Sequence, residues 1–363
     1  MKLNVWRYRN GLTRLKKSLQ NKKVTLGFIG GSITEQKNGT MWPEYVISWF
    51  VEQFPDIRIY VENAAIGATG SDLAVFRAER DLIQRNCDIV FIEYAVNDWN
   101  HPAEQRMRSR EGLIRKLLQE ERDIVIAYTF RQEMYQDMQN GHVPDSIKEF
   151  EQLAEHYGIG SVWMGLYALE EVKKGWMKWE EWLPDGLHPS YRGSFCYAQS
   201  IIQYLQHELI QEPHQDAVKY GENLPAPYNP KNWQNTSMVS FDKIRCEGPW
   251  AVRSWPSGWI DQVLDTAAVG AKLYFSFNGR GLCMGFDFGK TSGEFRYRID
   301  KGEWKESKRE RSWWVEDKGW YKLELLEDDL ENGDHEVEIE VIHGNGEDCK
   351  GTNFRLAFIG VIR

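Results

Sequence analysis

The sequence predicts two folds in one chain: an α/β domain built on a doubly wound parallel sheet, followed by an antiparallel β-sandwich. Three observations carry this. Between residues 24 and 210, short apolar runs alternate with amphipathic stretches of helical spacing, the rhythm of β-α units whose strands lie parallel. From about Val239 the pattern changes to short alternating stretches, such as residues 272–277, 295–299 and 336–341, separated by Gly, Asn and Asp turns. Between them, Pro213, Pro225, Pro227 and Pro230 with Asn and Gln give residues 211–239 the composition of a linker. A chain of 363 residues is also too long for one typical core. The expected boundaries are therefore 1–210, a linker at 211–239, and 240–363.

Residues 1–23 are a basic, weakly periodic lead-in, expected to pack as an outer helix. Residues 24–34 are continuously apolar, end in glycines and present Ser32, as a buried parallel strand and its turn would. Trp42, Tyr45, Val46, Trp49 and Phe50 recur at helical spacing within 41–54. Residues 57–65 read as a second strand closing at Gly67, and Ser71 as the N-cap of a helix over 72–85. A third strand over 88–94 ends at Ala95-Val96-Asn97-Asp98. A charged helix (103–121), a strand (123–129), a helix (146–157) and a short strand (161–164) follow. The α/β pattern ends with an apolar-striped helix over 191–210, preceded by Asp185-Gly186-Leu187-His188-Pro189-Ser190.

A formal net charge of −9 disfavours nucleic acid and anionic membrane as partners. The mean hydropathy is −0.58, and no apolar run approaches the length of a bilayer span. Residues 1–9 are basic but lack the apolar core of a signal peptide. Five scattered cysteines form no C-x-x-C pair, and an odd count suits a reducing compartment, so a cytoplasmic location is expected. Eight histidines lack metal-binding spacing, and no metal site is expected. Sixteen tryptophans are the outlier of the composition. Their flat faces fill cores, and they also pack on the C–H faces of sugar rings.

The carboxyl edge of a parallel sheet collects the ends of its strands, and ligands bind there. Ser32, Gly67, Asn97 and the Asp185–His188 turn would all lie on that edge. A serine hydroxyl becomes nucleophilic when a histidine takes its proton and a carboxylate holds the other ring nitrogen. Asp185 and His188 can supply that pair within one turn. Acyl transfer also needs donors aimed at the developing oxyanion. The backbone N–H groups of Ser32 and Gly67 and the Asn97 amide are the candidates.

Gly30-Gly31-Ser32-Ile33-Thr34, Gly67 in Asn63-Ala64-Ala65-Ile66-Gly67, Ala95-Val96-Asn97-Asp98 and Asp185-Gly186-Leu187-His188 resemble, in order, the four blocks of the SGNH or GDSL hydrolase superfamily. The resemblance implies a flavodoxin-like three-layer α/β/α fold and an esterase that needs no cofactor. It further implies Ser32 as nucleophile, His188 as base, Asp185 as its orienter, and Ser32, Gly67 and Asn97 as the oxyanion hole. Two positions depart from the family pattern. Gly31 stands where an aspartate is usual, and Ala95 where a glycine is usual. The named roles stay filled, while the transfer of substrate preference from lipase-like members is weakened.

Low hydropathy argues against a lipid interface. Tryptophan richness and the appended jelly-roll-like sandwich resemble intracellular carbohydrate O-acetylesterases with a carbohydrate-binding-like module. The implied substrate is an acetylated manno- or xylo-oligosaccharide. A broad short-chain acyl esterase or lipase, and an inactive hydrolase acting as a sugar-binding protein, are the alternatives, and the oligomeric state stays open. Four tryptophans are candidate substrate contacts. Trp99 follows the Asn97 block, where the chain passes the pocket. Trp182 ends the triplet Trp176, Trp179, Trp182 that leads into the Asp185 turn. Trp313 and Trp314 are adjacent, so their side chains point to opposite faces of a strand, and one is expected to face outward or toward the other domain.

Overall fold

The computed structural model describes residues 3–9, 12–35, 41–211, 220–255, 260–307, 315, 320–343 and 351–363. The chain divides into two compact units, Met1–Gln234 and Asn235–Arg363.

The first unit is built on a six-stranded sheet. Its strands are β1 (Trp6–Arg7), β2 (Lys23–Gly30), β3 (Arg58–Asn63), β4 (Ile89–Glu93), β5 (Asp123–Ala127) and β6 (Gly160–Val162), in the order β1-β6-β5-β4-β2-β3. Strands β2 to β6 are parallel, and β1 joins the β6 edge antiparallel. The parallel strands start at β2, add β3 on one side, then reverse to β4, β5 and β6 on the other. That is the flavodoxin-like order, with its switch point between β2 and β4.

Every residue of β4 and β5 is buried, which requires cover on both faces. The cover comes from α1 (Thr13–Gln20), α2 (Trp42–Gln53), α3 (Ser71–Ala78, continued by a π turn Glu79–Ile83), α4 (Ala103–Gln119), α5 (Tyr135–Gln139), α6 (Asp145–His156), α7 (Met164–Lys173), α8 (Trp179–Trp182) and α9 (Tyr191–Ile210). Helices α2, α7 and α8 pack on α9, and α3 and α6 pack on α4. Ser190 caps α9, its side chain accepting from the N–H groups of Arg192 and Gly193.

Three expectations need correction here. Residues 1–23 form an edge strand as well as a helix: Trp163 N–H donates to Val5 O, and the Trp6 indole donates to Ser200 O. Ser71 does not cap its helix through its side chain. Gly70 is the N-cap, and Asp98 accepts from both the Ser71 N–H and the Ser71 hydroxyl. The linker read at 211–239 is divided between the units. Residues 220–234 form a strap on the first unit, where Glu111 accepts the N–H groups of Tyr228 and Asn229 at 2.5 and 2.7 Å. Trp233 is fully buried, and its N–H donates to Arg108 O.

In the second unit, β7 (Thr236–Val239), β9 (Ala251–Ser254), β10 (Gln262–Thr266), β12 (Gly281–Phe288), β15 (Trp320–Glu327) and β17 (Phe354–Ile362) form one antiparallel sheet. The other holds β8 (Arg245–Glu247), β11 (Lys272–Gly279), β13 (Glu294–Ile299), β14 (Lys305–Glu306) and β16 (Gly333–Ile342). Alternate residues of β11 and β16, including Phe275, Phe277, Val337 and Ile339, meet Met284, Phe286, Leu356 and Ile359 in one apolar core. The opposite face of the smaller sheet carries cross-strand pairs, Arg298 with Glu338 and Arg296 with Glu340. This period of two is what makes the region read as a sandwich.

Candidate active site

The turn after β2 is closed by the N–H groups of Thr34 and Glu35, which donate to Gly31 O at 3.0 and 2.9 Å. It presents Ser32 half-buried, at the switch point of the sheet. The Ser32 hydroxyl lies 2.8 Å from His188 Nε2, and His188 Nδ1 lies 2.8 Å from Asp185 Oδ2. With an acceptor carboxylate on Nδ1, the neutral ring carries its proton there and leaves Nε2 free to accept from serine. Asp185 is fixed by its own turn, Oδ1 accepting the N–H groups of His188 at 2.6 Å and Leu187 at 2.9 Å. Partial burial pushes the Asp185 carboxyl up. The hydrogen bonds from the His188 ring and from these two N–H groups outweigh it, so its pKa falls below the ordinary carboxylate value. Asp185 therefore stays ionised at neutral pH.

Two further turns reach the same edge. The Ile66 N–H donates to Gly30 O at 3.0 Å, which brings the buried turn at Gly67 alongside the Ser32 turn. The Asn63 amide donates to Thr34 O at 2.9 Å and braces the two together. Asn97 lies in the turn after β4, its amide resting on Gly31. A methyl group on the Gly31 Cα would stand 2.0 Å from Asn97 Oδ1 and 2.4 Å from Nδ2. That contact gives a physical reason for glycine at position 31. Any side chain there would occupy the space of the Asn97 amide.

Beneath Asn97 is a buried ionic brace that the sequence reading missed. Asp98 and Arg110 are both fully buried and paired at 2.7 Å. Arg110 also donates to Ser146 O and Ser146 Oγ, each at 2.8 Å, and the Ser146 hydroxyl donates to Ala95 O at 2.7 Å. Asp98 was visible in the sequence beside Asn97. Its partners on α3 and α4 could be found only in three dimensions.

The four candidate substrate tryptophans separate. Trp99 is half-buried, with the Arg131 guanidinium 5.3 Å from its ring centre. Arg131 hydrogen-bonds Glu133 at 2.9 Å and holds that carboxyl down at about 2. The neighbouring Gln132 N–H donates to Gly186 O at 3.0 Å, which places Arg131 beside the Asp185 turn. Trp182 is not a substrate contact. It is fully buried against Phe130, Trp179 and Tyr197, because the turn before Asp185 folds inward onto α9. Of its triplet, Trp176 is exposed. Trp313 and Trp314 lie outside the described residues.

CEX, a two-domain esterase active on acetylated mannans and co-crystallised with mannopentaose, superposes with a TM-score of 0.81. The identity is 22%, over 98% of this chain and 96% of that one. A second crystal structure of the same esterase gives 0.80 at the same identity and coverage. Axe2, an acetylxylan esterase from Geobacillus stearothermophilus, matches 50% of this chain and 94% of its own at 23% identity and a TM-score of 0.41. No curated protein sequence matches the chain. Residues 28–194, which contain Ser32, Gly67, Asn97, Asp185 and His188, match the model of the GDSL-like lipase/acylhydrolase family. Residues 28–194 thus form a GDSL-like, or SGNH, hydrolase domain, and the chain is a carboxylic ester hydrolase.

Proposed function

We propose that the protein removes O-acetyl groups from acetylated oligosaccharides through a Ser32, His188 and Asp185 relay. The observation that carries the chemistry is the continuous chain of two 2.8 Å contacts from the Ser32 hydroxyl through the His188 ring to Asp185. In this reading Ser32 Oγ attacks the acetyl carbonyl carbon while His188 Nε2 takes the hydroxyl proton. The carbonyl oxygen becomes an oxyanion that accepts from the Ser32 and Gly67 N–H groups and the Asn97 amide. As the tetrahedral intermediate collapses, His188 returns the proton to the departing sugar oxygen and acetyl-Ser32 remains. Water, deprotonated by His188, then releases acetate and restores the serine.

The substrate class is supported by the likeness to the esterase active on acetylated mannans and by the negative net charge and low hydropathy, which suit a polar substrate better than a lipid interface. Among the described residues, no helix is long and apolar enough to cross a membrane. A cytoplasmic location belongs to the same proposal and is checked by cell fractionation. The decisive experiment treats acetylated manno- and xylo-oligosaccharides with the protein and follows loss of single acetyl units by mass spectrometry, with Ser32→Ala as control. Release that depends on Ser32 is expected. Turnover of long-chain p-nitrophenyl esters without sugar deacetylation would instead assign a broad acyl esterase. Activity retained by Ser32→Ala would overturn the relay.

A further inference from the structure

Glu93 is the last residue of β4, directly opposite Gly30 in the parallel ladder, and its side chain is fully buried. It closes a run of apolar residues, Ile89-Val90-Phe91-Ile92. A carboxyl group in that place costs several kcal/mol unless it is well hydrogen-bonded. Here three donors converge on it. The Thr129 hydroxyl donates to Oε1 at 2.7 Å, the Thr34 hydroxyl donates to Oε2 at 3.1 Å, and the Gly31 N–H donates as well. The Trp42 indole N–H occupies the Thr34 oxygen at 3.1 Å, which orients the hydroxyl proton toward Glu93. Two of the three donors belong to the turn that carries Ser32.

We propose that Glu93 is a positioning residue for ester hydrolysis: its carboxylate clamps Gly31 and Thr34 of the nucleophile turn to Thr129 beyond β5, holding the Ser32 hydroxyl in line with His188. The proposal rests on the reading of Ser32 as nucleophile. It goes beyond that reading because Glu93 touches neither substrate nor base.

The clamp depends on charge. Three donors suit an ionised carboxylate. A protonated one must donate to a site crowded with donors, so one contact is lost or reversed. Burial pushes the Glu93 pKa up, and the bonds from Thr129, Thr34 and Gly31 pull it back, leaving it at about 7. The other groups facing it do not take over this titration. Asp98, in the turn after β4, is ion-paired to Arg110. Tyr94 on the adjoining turn and Tyr197 on α9 are held far above their ordinary value by burial and stay neutral. Glu93 thus switches between clamp and no clamp around neutral pH.

The test is the pH dependence of kcat/KM on p-nitrophenyl acetate, with the rate of Ser32 labelling by a fluorophosphonate as a second readout. In the wild type, His188 and Glu93 must each lose a proton for full activity. The acid limb should therefore rise more steeply than the roughly tenfold per pH unit that a single base gives. Glu93→Gln should leave a single-ionisation limb and lower kcat by about tenfold to a hundredfold with little change in KM, the scale of a reacting group misplaced by about 1 Å. Thr129→Val keeps the carboxyl but removes one donor, so the second ionisation should move to higher pH. This variant decides the matter if Glu93→Gln fails to fold. A one-proton limb in the wild type, or a limb that neither variant alters, overturns the proposal while Ser32 labelling leaves the nucleophile assignment standing. Labelling that persists in Ser32→Ala overturns the nucleophile assignment itself.

Discussion

Adding one methyl group at position 31 tests the oxyanion assignment without touching any reacting atom. The added carbon of Gly31→Ala would lie 2.0 Å from Asn97 Oδ1, where ordinary contact begins at 3.4 Å, so the amide must retreat by about 1.4 Å. Asn97 is half-buried in a turn and can rotate outward, and the fold should survive. A donor displaced that far no longer meets the oxyanion. Losing one such donor costs about 2.7–4 kcal/mol, or about 10²–10³ in kcat. Asn97→Ala should cost the same. The two losses have one cause, so on the Asn97→Ala background, where the amide is gone, the extra methyl should be nearly silent. The assay is a double-mutant cycle on kcat with p-nitrophenyl acetate, with thermal unfolding to check each fold. Additive losses, or full activity in Gly31→Ala, would refute the placement of Asn97 as an oxyanion donor.

Three other outcomes are expected. Arg110→Ala leaves Asp98 buried without its ion pair and should destabilise the first unit by about 3–5 kcal/mol, seen as a lower midpoint of thermal unfolding. An unchanged midpoint would mean the brace is dispensable. In the second unit, His335 faces two acceptors, Asp300 Oδ2 at 2.7 Å from Nδ1 and Glu331 O at 2.8 Å from Nε2, so the doubly protonated ring fits best. Burial opposes the charge, yet the bonds to Asp300 and to backbone carbonyls outweigh it and raise the His335 pKa above 6.5. The resulting stability is fully present below pH 6.5 and lost as pH rises through the folded-state value. His335→Asn should flatten that pH dependence of unfolding, and an unaltered slope would exclude the pair. Finally, Glu111→Ala removes the acceptor of Tyr228 and Asn229. Limited proteolysis should then cut within residues 220–234, where the wild type resists; equal resistance would show that the other contacts of the strap, such as Arg115 to Pro225 O and the buried Trp233, hold it without Glu111.

What the sequence revealed followed the range of the forces involved. Strands β2, β4 and β5 are continuous apolar runs because both faces are covered, and this reads directly. Helix α9 has a local start signal in Ser190, whose cap lies within three residues of chain. The Ser32, Asn97 and Asp185–His188 blocks are also local, each lying in a turn next to its strand or helix. The misreadings were all non-local. The strap has the composition of a linker, but its N–H groups find Glu111 more than a hundred residues earlier. β1 is two residues long and exists only because β6 offers a free edge. Trp182 stands beside the Asp185 turn in sequence, and its burial depends on Phe130 and Tyr197. Glu93, a charge closing an apolar strand, stands in plain sight in the sequence, but its donors on the Ser32 turn and beyond β5 do not.

That polar layer explains how loops can hold a site to the tolerance that acyl transfer needs. Each turn on the nucleophile side is tied by a different polar side chain anchored on the sheet or in its flanking turns. Asn63 joins the Gly67 turn to the nucleophile turn, Glu93 joins the nucleophile turn to the end of β5, and Asp98 joins the Asn97 turn to α3 and α4. Directional bonds fix position more tightly than apolar packing of turns would, and an oxyanion hole gains most from donors already in place. The base is held differently. The Asp185 and His188 side chains remain about half exposed, and the carboxylate is fixed mainly by N–H groups of its own turn. Nucleophile and oxyanion donors must keep one geometry through both halves of the reaction. In the proposed mechanism the base instead receives a proton from serine, gives it to the departing oxygen and then activates water, and a partly exposed ring is better suited to serve all three.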